Sequence, residues 1–291
     1  MVRAHEEFMR VNNALGALVE IAVAALHSLT LKLHSSQQVF VTASDFSHEK
    51  SLEQLLTSIS QKFPRAKTVV FDLGMTTVLV DKISLRRNVK VIEFSFPRYP
   101  TWFDLRLNSG SYAWKAQCVR EVLTSKMFQD GNGSRLAWVD AGCVFVGLGT
   151  LAAFQPLTTK NGVFANLASG SVQKWTHTSS LRSMRKSIGP EFDEGIMNKR
   201  QFSAAFISFD TSKSWVRELI MTWAELSLKK EVIGPIGASK ANHRFDQSVF
   251  SALLHLSDRK SAHQRRAFPQ ALLGFRIHQD IEEATPSDLN G

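Results

Sequence analysis

The sequence predicts an α/β fold with a mostly parallel central sheet, and three observations predict it. Short β-branched and aromatic runs alternate with longer segments whose apolar residues recur at helical spacing. The connections between them are short, which implies right-handed crossovers joining parallel strands. No linker and no fixed-period repeat divides the 291 residues, and at 44% hydrophobic content they suffice for one large core. The expected organisation is an amphipathic helical extension over 1–36, a single domain over 37–283 and a tail over 284–291.

The elements follow in order. Residues 11–31 are rich in Ala, Leu and Val, but Glu20 and His27 interrupt them before the ~18 apolar residues of a membrane span are reached. Leu15, Leu18, Val19, Leu26, Leu29 and Leu33 fall on one helical stripe, which predicts a packed or peripheral amphipathic helix and leaves a membrane contact through it open. Val39-Phe40-Val41-Thr42-Ala43 is a buried strand that stops at Ser44-Asp45. Ser47 can cap a helix carrying Leu52, Leu55, Leu56, Ile59 and Phe63, which Pro64 ends. Strands are expected at 68–71, closed by Asp72-Leu73-Gly74, and at 89–94, with a weaker helix over 76–85 between them. A helix over 111–126 and a strand over 136–139 follow, and that strand ends on Asp140. In open parallel sheets ligands gather at the carboxyl ends of strands, so the acid stands where chemistry is usually done. Farther on, 202–209 reads as a strand and 214–228 and 245–256 read as helices, while 176–187 reads as a polar, low-complexity-like run.

Charge and cysteine content narrow the classes. There are 35 Lys and Arg against 26 Asp and Glu, a formal charge of +9, so the surface attracts anions. The basic residues come in short clusters without a recognisable nucleic-acid module, and no specific nucleic-acid partner is expected. Cys118 and Cys143 sit among apolar neighbours and read as buried thiols. The chain has no GxGxxG, P-loop, GxSxG or HExxH, which removes the usual support for dinucleotide, NTPase, serine-hydrolase and metalloprotease readings.

What remains is an ordered set of motifs: Val41-Thr42-Ala43-Ser44, Phe71-Asp72-Leu73-Gly74-Met75, Tyr99-Pro100, Tyr112-Ala113-Trp114-Lys115, Trp138-Val139-Asp140 and, later, His243-Arg244-Phe245-Asp246-Gln247-Ser248. The progression of Tyr112-Ala113-Trp114-Lys115, Asp140, the small-residue strand over 202–209 and the Asp246-Gln247 segment resembles the GT-A glycosyltransferases, above all the glycogenin-like retaining enzymes. The first five motifs together resemble more closely still a eukaryotic family of nucleotide-diphosphosugar-transferase-like domains. The likeness covers roughly residues 37–256. It implies a GT-A-like (Rossmann-like) three-layer sandwich and transfer of a sugar from a nucleotide-diphosphate donor to a hydroxyl on a glycan, protein or small molecule. It also implies a secretory-pathway setting, in the Golgi or the endoplasmic reticulum.

The resemblance carries residue roles with it. Thr42, Ser44, Asp45, Asp72 and Lys115 correspond to substrate-binding positions, with Lys115 on the donor diphosphate. Asp246 and Gln247 correspond to the pair beside the reacting sugar, and Asp140 with a late histidine, here His278, to ligands of Mn²⁺ or Mg²⁺. A divalent cation offsets the charge of a departing diphosphate, and in this family two carboxylates spaced Asp-x-Asp hold it. Here Gly142 stands in the second place. Each residue also has a plainer reading: Lys115 as a snorkelling helix lysine, Asp72 as a turn residue, Asp246 as a carboxylate stabilising a helix N-terminus, His278 as a surface side chain. The missing acid keeps a second function open, a catalytically degenerate domain that binds nucleotide, glycan or protein.

Overall fold

The computed structural model describes residue 22 and residues 38–129, 135–146, 154–260, 265, 267–268 and 273–281. The expected extension over 1–36 and the tail over 284–291 lie outside these, apart from residue 22. No helix among the described residues is long and apolar enough to cross a membrane.

Strand β1 (Val39–Ser44), helix α1 (Glu49–Lys62), β2 (Lys67–Asp72), α2 (Thr77–Ser84) and β3 (Val89–Glu93) form the predicted β-α-β-α-β unit. After a stretch of 3₁₀ turns come α3 (Ala113–Thr124), β4 (Arg135–Val139), the short β5 (Val144–Phe145), α4 (Phe154–Asn161) and β6 (Val163–Ser171). The chain continues through α5 (Thr178–Ile188), β7 (Arg200–Asp210), α6 (Ser214–Leu226), α7 (Phe245–Lys260) and β8 (Phe275–Arg276). Six strands make one sheet in the order β3-β2-β1-β4-β7-β6, and β5 pairs with β8 in a second, two-stranded one. The first four run parallel, with Val39 opposite both Lys67 and Leu136. β7 is antiparallel to both of its neighbours, so it alone reverses the direction of the sheet.

Alternation along the strands divides the core into two. Val39 and Val41 of β1 face the layer of α3, α6 and α7, together with Trp138 of β4. Phe40, Ala137 and Val139 point the other way, toward Leu55 and Ile59 of α1, Phe63 just after it and Phe154 of α4. Leu79 and Ile83 of α2 join Leu52, Leu56 and Val70 in a third cluster. Helices therefore cover both faces, as a sheet buried on both sides requires, and the expected three-layer α/β sandwich with a mostly parallel central sheet is the fold this chain adopts. Cys118 and Cys143 are buried free thiols within it.

Three expectations need correction. Ser47 does not cap α1: it lies in a 3₁₀ turn, and the helix starts after His48 without a side-chain cap. The run over 176–187 is not low-complexity in character: Leu181, Met184 and Ile188 fall on one side of α5, Met184 is fully buried, and Ser180 donates to Val232 O. The helix expected from Ser111 starts later, at Ala113, because Ser109, Gly110, Ser111 and Tyr112 all have left-handed backbone angles. Gly110 is required there, since a Cβ would stand 2.2 Å from the carbonyl oxygen of Phe103.

Candidate active site

The carboxyl ends of β1 and β4 open into a cleft of about 500 Å³. The reversal of β7 brings the start of that strand, Ser203 to Ala205, to the same edge, where Asp140 N–H donates to Ala205 O at 2.8 Å. α3 contributes Lys115, the N-terminus of α7 contributes Asp246 and Gln247, and the segment after β8 contributes His278 and Asp280.

Lys115 is the centre of the floor. Its Nζ forms ion pairs with Asp140 Oδ1 at 3.0 Å and Asp246 Oδ2 at 3.2 Å and donates to the carbonyl oxygen of Ala204 at 3.3 Å. Among the described residues Asp246 Oδ2 has no hydrogen-bond partner, so its contact with the ammonium is electrostatic. The Trp138 and Tyr112 rings lie 5.5 and 5.9 Å from it, close enough for their π faces to add attraction. Burial alone would lower the lysine pKa, but the charges of Asp140 and Asp246 outweigh it and raise it. Burial pushes the Asp246 carboxyl up to about 6, with Lys115 pulling down and Asp140 pushing up. Asp140 is more open, with 37% of its side chain exposed, and its Oδ1 also accepts from Trp138 Nε1 at 2.7 Å. Thus one buried cation holds two acids at neutral pH.

The remaining expected residues fall in different places. Ser44 and Asp45 line the cleft. Burial would raise the Asp45 pKa, but hydrogen bonds from His48 and Ser47 outweigh it and hold the carboxyl below its ordinary value. Gln247 lines the cleft too and donates from Nε2 to Gln201 Oε1 at 2.7 Å. Asp72 does not line it: its Oδ1 accepts from the N–H groups of Gly74 and Met75, which is the turn role. Thr42 is fully buried within β1, and its hydroxyl has no hydrogen-bond partner among the described residues.

A divalent cation finds no ready set of ligands. Among the described residues no three His, Cys, Asp or Glu side chains are grouped to hold a metal ion. Asp140 Oδ1 is already shared between an ammonium and an indole N–H. His278 lines the cleft as an exposed residue with a left-handed backbone. The place of the absent second acid is filled from elsewhere, since a Cβ on Gly142 would lie 2.1 Å from Asp280 Oδ1. As arranged, these side chains do not fit a resident cation.

Sequence reasoning missed Asp280, Lys240 and the strain around the cleft. Asp280 stands two residues beyond the histidine that drew attention. Lys240 lies in a loop with no periodicity to mark it. Among the described residues five that are not glycine have left-handed φ angles, Ser109, Ser111, Tyr112, Phe245 and His278, and all but Ser111 line the cleft. Such angles cost roughly 1–2 kcal/mol each, and they tend to collect at functional sites.

Residues 10–119 match the family model described as "Protein of unknown function (DUF1647)", a match that includes Lys115 and ends before Asp140. No curated protein matches. Among solved structures the chain is similar to the galactosyltransferase LgtC, crystallised with donor and acceptor sugar analogues, at 15% identity and a TM-score of 0.45 over 75% of this chain and 70% of that one. It is similar to core-mannan synthase A from Aspergillus fumigatus in its Mn/GDP form, at 10% identity and 0.48 over 76% and 71%. The bifunctional glycosyltransferase WbbM gives 16% and 0.45 over 76% of this chain, which spans only 38% of WbbM. At these values the likeness carries no argument about function.

Proposed function

We propose that this chain is a glycosyltransferase that moves a sugar from a nucleotide-diphosphate donor to a hydroxyl acceptor. The observation that carries the reading is the Asp140–Lys115–Asp246 arrangement in the floor of a cleft at the carboxyl edge of the sheet. Organised charge of this kind, buried and surrounded by aromatic rings, is what a reaction that separates charge requires. In the transfer the bond from the anomeric carbon to the diphosphate oxygen breaks, and a bond to the acceptor oxygen forms. The acceptor proton must leave to a base. Asp246, with its carboxyl near 6, is ionised at neutral pH and lines the cleft, so it is the group assigned to take that proton. In this reading Gln247 would contact the sugar, and Ser44 and Asp45, which line the cleft at the end of β1, would contact the nucleoside.

The test is a thermal-shift screen of UDP-, GDP- and CMP-sugars with and without Mn²⁺, followed by turnover of whichever donor raises the midpoint. A ligand that binds only the folded state raises it. Donor binding followed by sugar release that Asp246→Asn suppresses supports the transferase. Binding without turnover, in the presence of a range of hydroxyl acceptors, points to the degenerate nucleotide-binding domain. No shift with any donor removes both.

A further inference from the structure

Lys115 is one positive charge held between two acids, Asp140 and Asp246, so a diphosphate entering the cleft meets no spare positive charge on the floor and must find it elsewhere. Two other cations line the same cleft, Lys240 and Arg244. Neither forms an ion pair with a carboxylate among the described residues, and each is held against an aromatic face instead. Lys240 Nζ lies 5.6 Å from the centre of the Tyr112 ring, and the Arg244 guanidinium 4.1 Å from that of Trp175.

The loop that carries them is fixed rather than loosely tethered. Asn242 closes it, accepting from Ser239 N–H at 2.8 Å and donating to Gly237 O at 3.0 Å. His243 anchors it from beneath. Its Nδ1 accepts from His177 N–H and its Nε2 faces Ile233 O, the pattern of a neutral ring that donates from Nε2. Burial, the largest influence, takes its pKa down to about 4, so the anchor adds no charge of its own. Arg244 is tied through its backbone N–H to Trp175 O at 3.0 Å. The loop thus places two cations without a carboxylate partner among the described residues in the wall of a cleft whose floor cation is held between two acids.

We infer that Lys240 and Arg244 form a diphosphate-binding subsite, and that a nucleoside diphosphate binds this cleft without a divalent metal. The inference rests on the transferase reading for the nucleotide, while the anion subsite can be tested apart from it. It sets the chain against the metal-dependent pattern of the family its sequence resembles. Asp280 helps to separate the two cases. Where it lies over Gly142 its charge repels a diphosphate, so Asp280→Asn strengthens binding to the cations, whereas it would weaken binding through a metal that Asp280 helped to hold.

The experiment is calorimetry on the full chain in excess EDTA, with inorganic pyrophosphate, UDP, GDP, CDP and the corresponding nucleosides as probes. Pyrophosphate and at least one nucleoside diphosphate are expected to bind. Lys240→Met and Arg244→Met, with circular dichroism unchanged, should each weaken both by about tenfold or more, the loss of one charge-assisted contact. The affinity for the matching nucleoside should stay as it was. Binding in EDTA that neither variant weakens overturns the inference. Nucleotide binding that appears only with Mn²⁺ overturns it too, while the transferase reading survives. Pyrophosphate binding with no nucleotide binding, with or without Mn²⁺, keeps the anion subsite but overturns nucleotide binding in this cleft, and removes the transferase with it. No binding of any probe, with or without Mn²⁺, removes both.

Discussion

At the scale of single residues the site turns on one buried lysine between two acids. Removing it leaves Asp246 buried without its counter-charge, and breaking such a pair typically costs about 3–5 kcal/mol. Lys115→Met is therefore expected to lower the urea midpoint strongly, and the double variant Lys115→Met/Asp246→Asn to recover much of the loss. Recovery that fails to appear would mean that packing of the lysine stem, not charge, dominates. Asp246 also gives a pH dependence whose sign can be stated. Its folded pKa, about 6, lies above the ordinary aspartate value, so the folded state binds the proton more tightly than the unfolded one. This group's share of the stability therefore improves as pH falls from 7 through 6 and is complete near the unfolded value of about 4. Asp246→Asn should remove that share, seen as a difference between the wild-type and variant urea midpoints across pH 7, 6 and 5. Turnover should move the opposite way, falling below pH 6 as the base is lost. The residues themselves were legible because they end strands or open helices, at Asp45, Asp140 and Asp246. That Lys115 would stand between both acids was not, since only packing sets the distance between side chains on α3, β4 and α7.

At the scale of elements the sheet was readable wherever strand residues were continuously apolar. β1, β2 and β4 are buried almost throughout, and each announces itself as a β-branched or aromatic run. β6 escaped notice because it is an edge strand, bulged against β7 and only partly buried beyond Ala165. α5 escaped for a related reason, as three apolar residues among serines and basic residues make a narrow stripe. Glycines give an element-scale prediction. At Gly110 an added Cβ meets a backbone carbonyl and φ is +57°, so Gly110→Ala should destabilise the entry to α3 by about 1–3 kcal/mol. At Gly142 the obstacle is the exposed Asp280 side chain, which can swing aside. Gly142→Ala should thus leave the melting temperature within a degree or two of wild type. Equal losses in the two variants would contradict this account of the Gly142–Asp280 contact.

At the scale of the whole molecule, the cleft draws its walls from β1, α3, β4, β7, α7 and the segment after β8, so a ligand filling it ties distant parts of the chain together. A bound donor at a hundred times its dissociation constant should stabilise the protein by roughly 2.7 kcal/mol. Amide exchange should slow across the sheet as well as in the cleft loops, and protection confined to residues 237–247 would contradict the shared-wall picture. The same architecture sets an order of assembly. As the chain leaves the ribosome, β1, β2 and β3 can pair among themselves, but Lys115 must wait about 130 residues for Asp246 to follow it. Until then its ammonium is better off in water than in the core. Docking of α3 against the finished sheet therefore belongs to the last stage of folding, and Lys115→Met should speed unfolding while leaving the refolding rate almost unchanged.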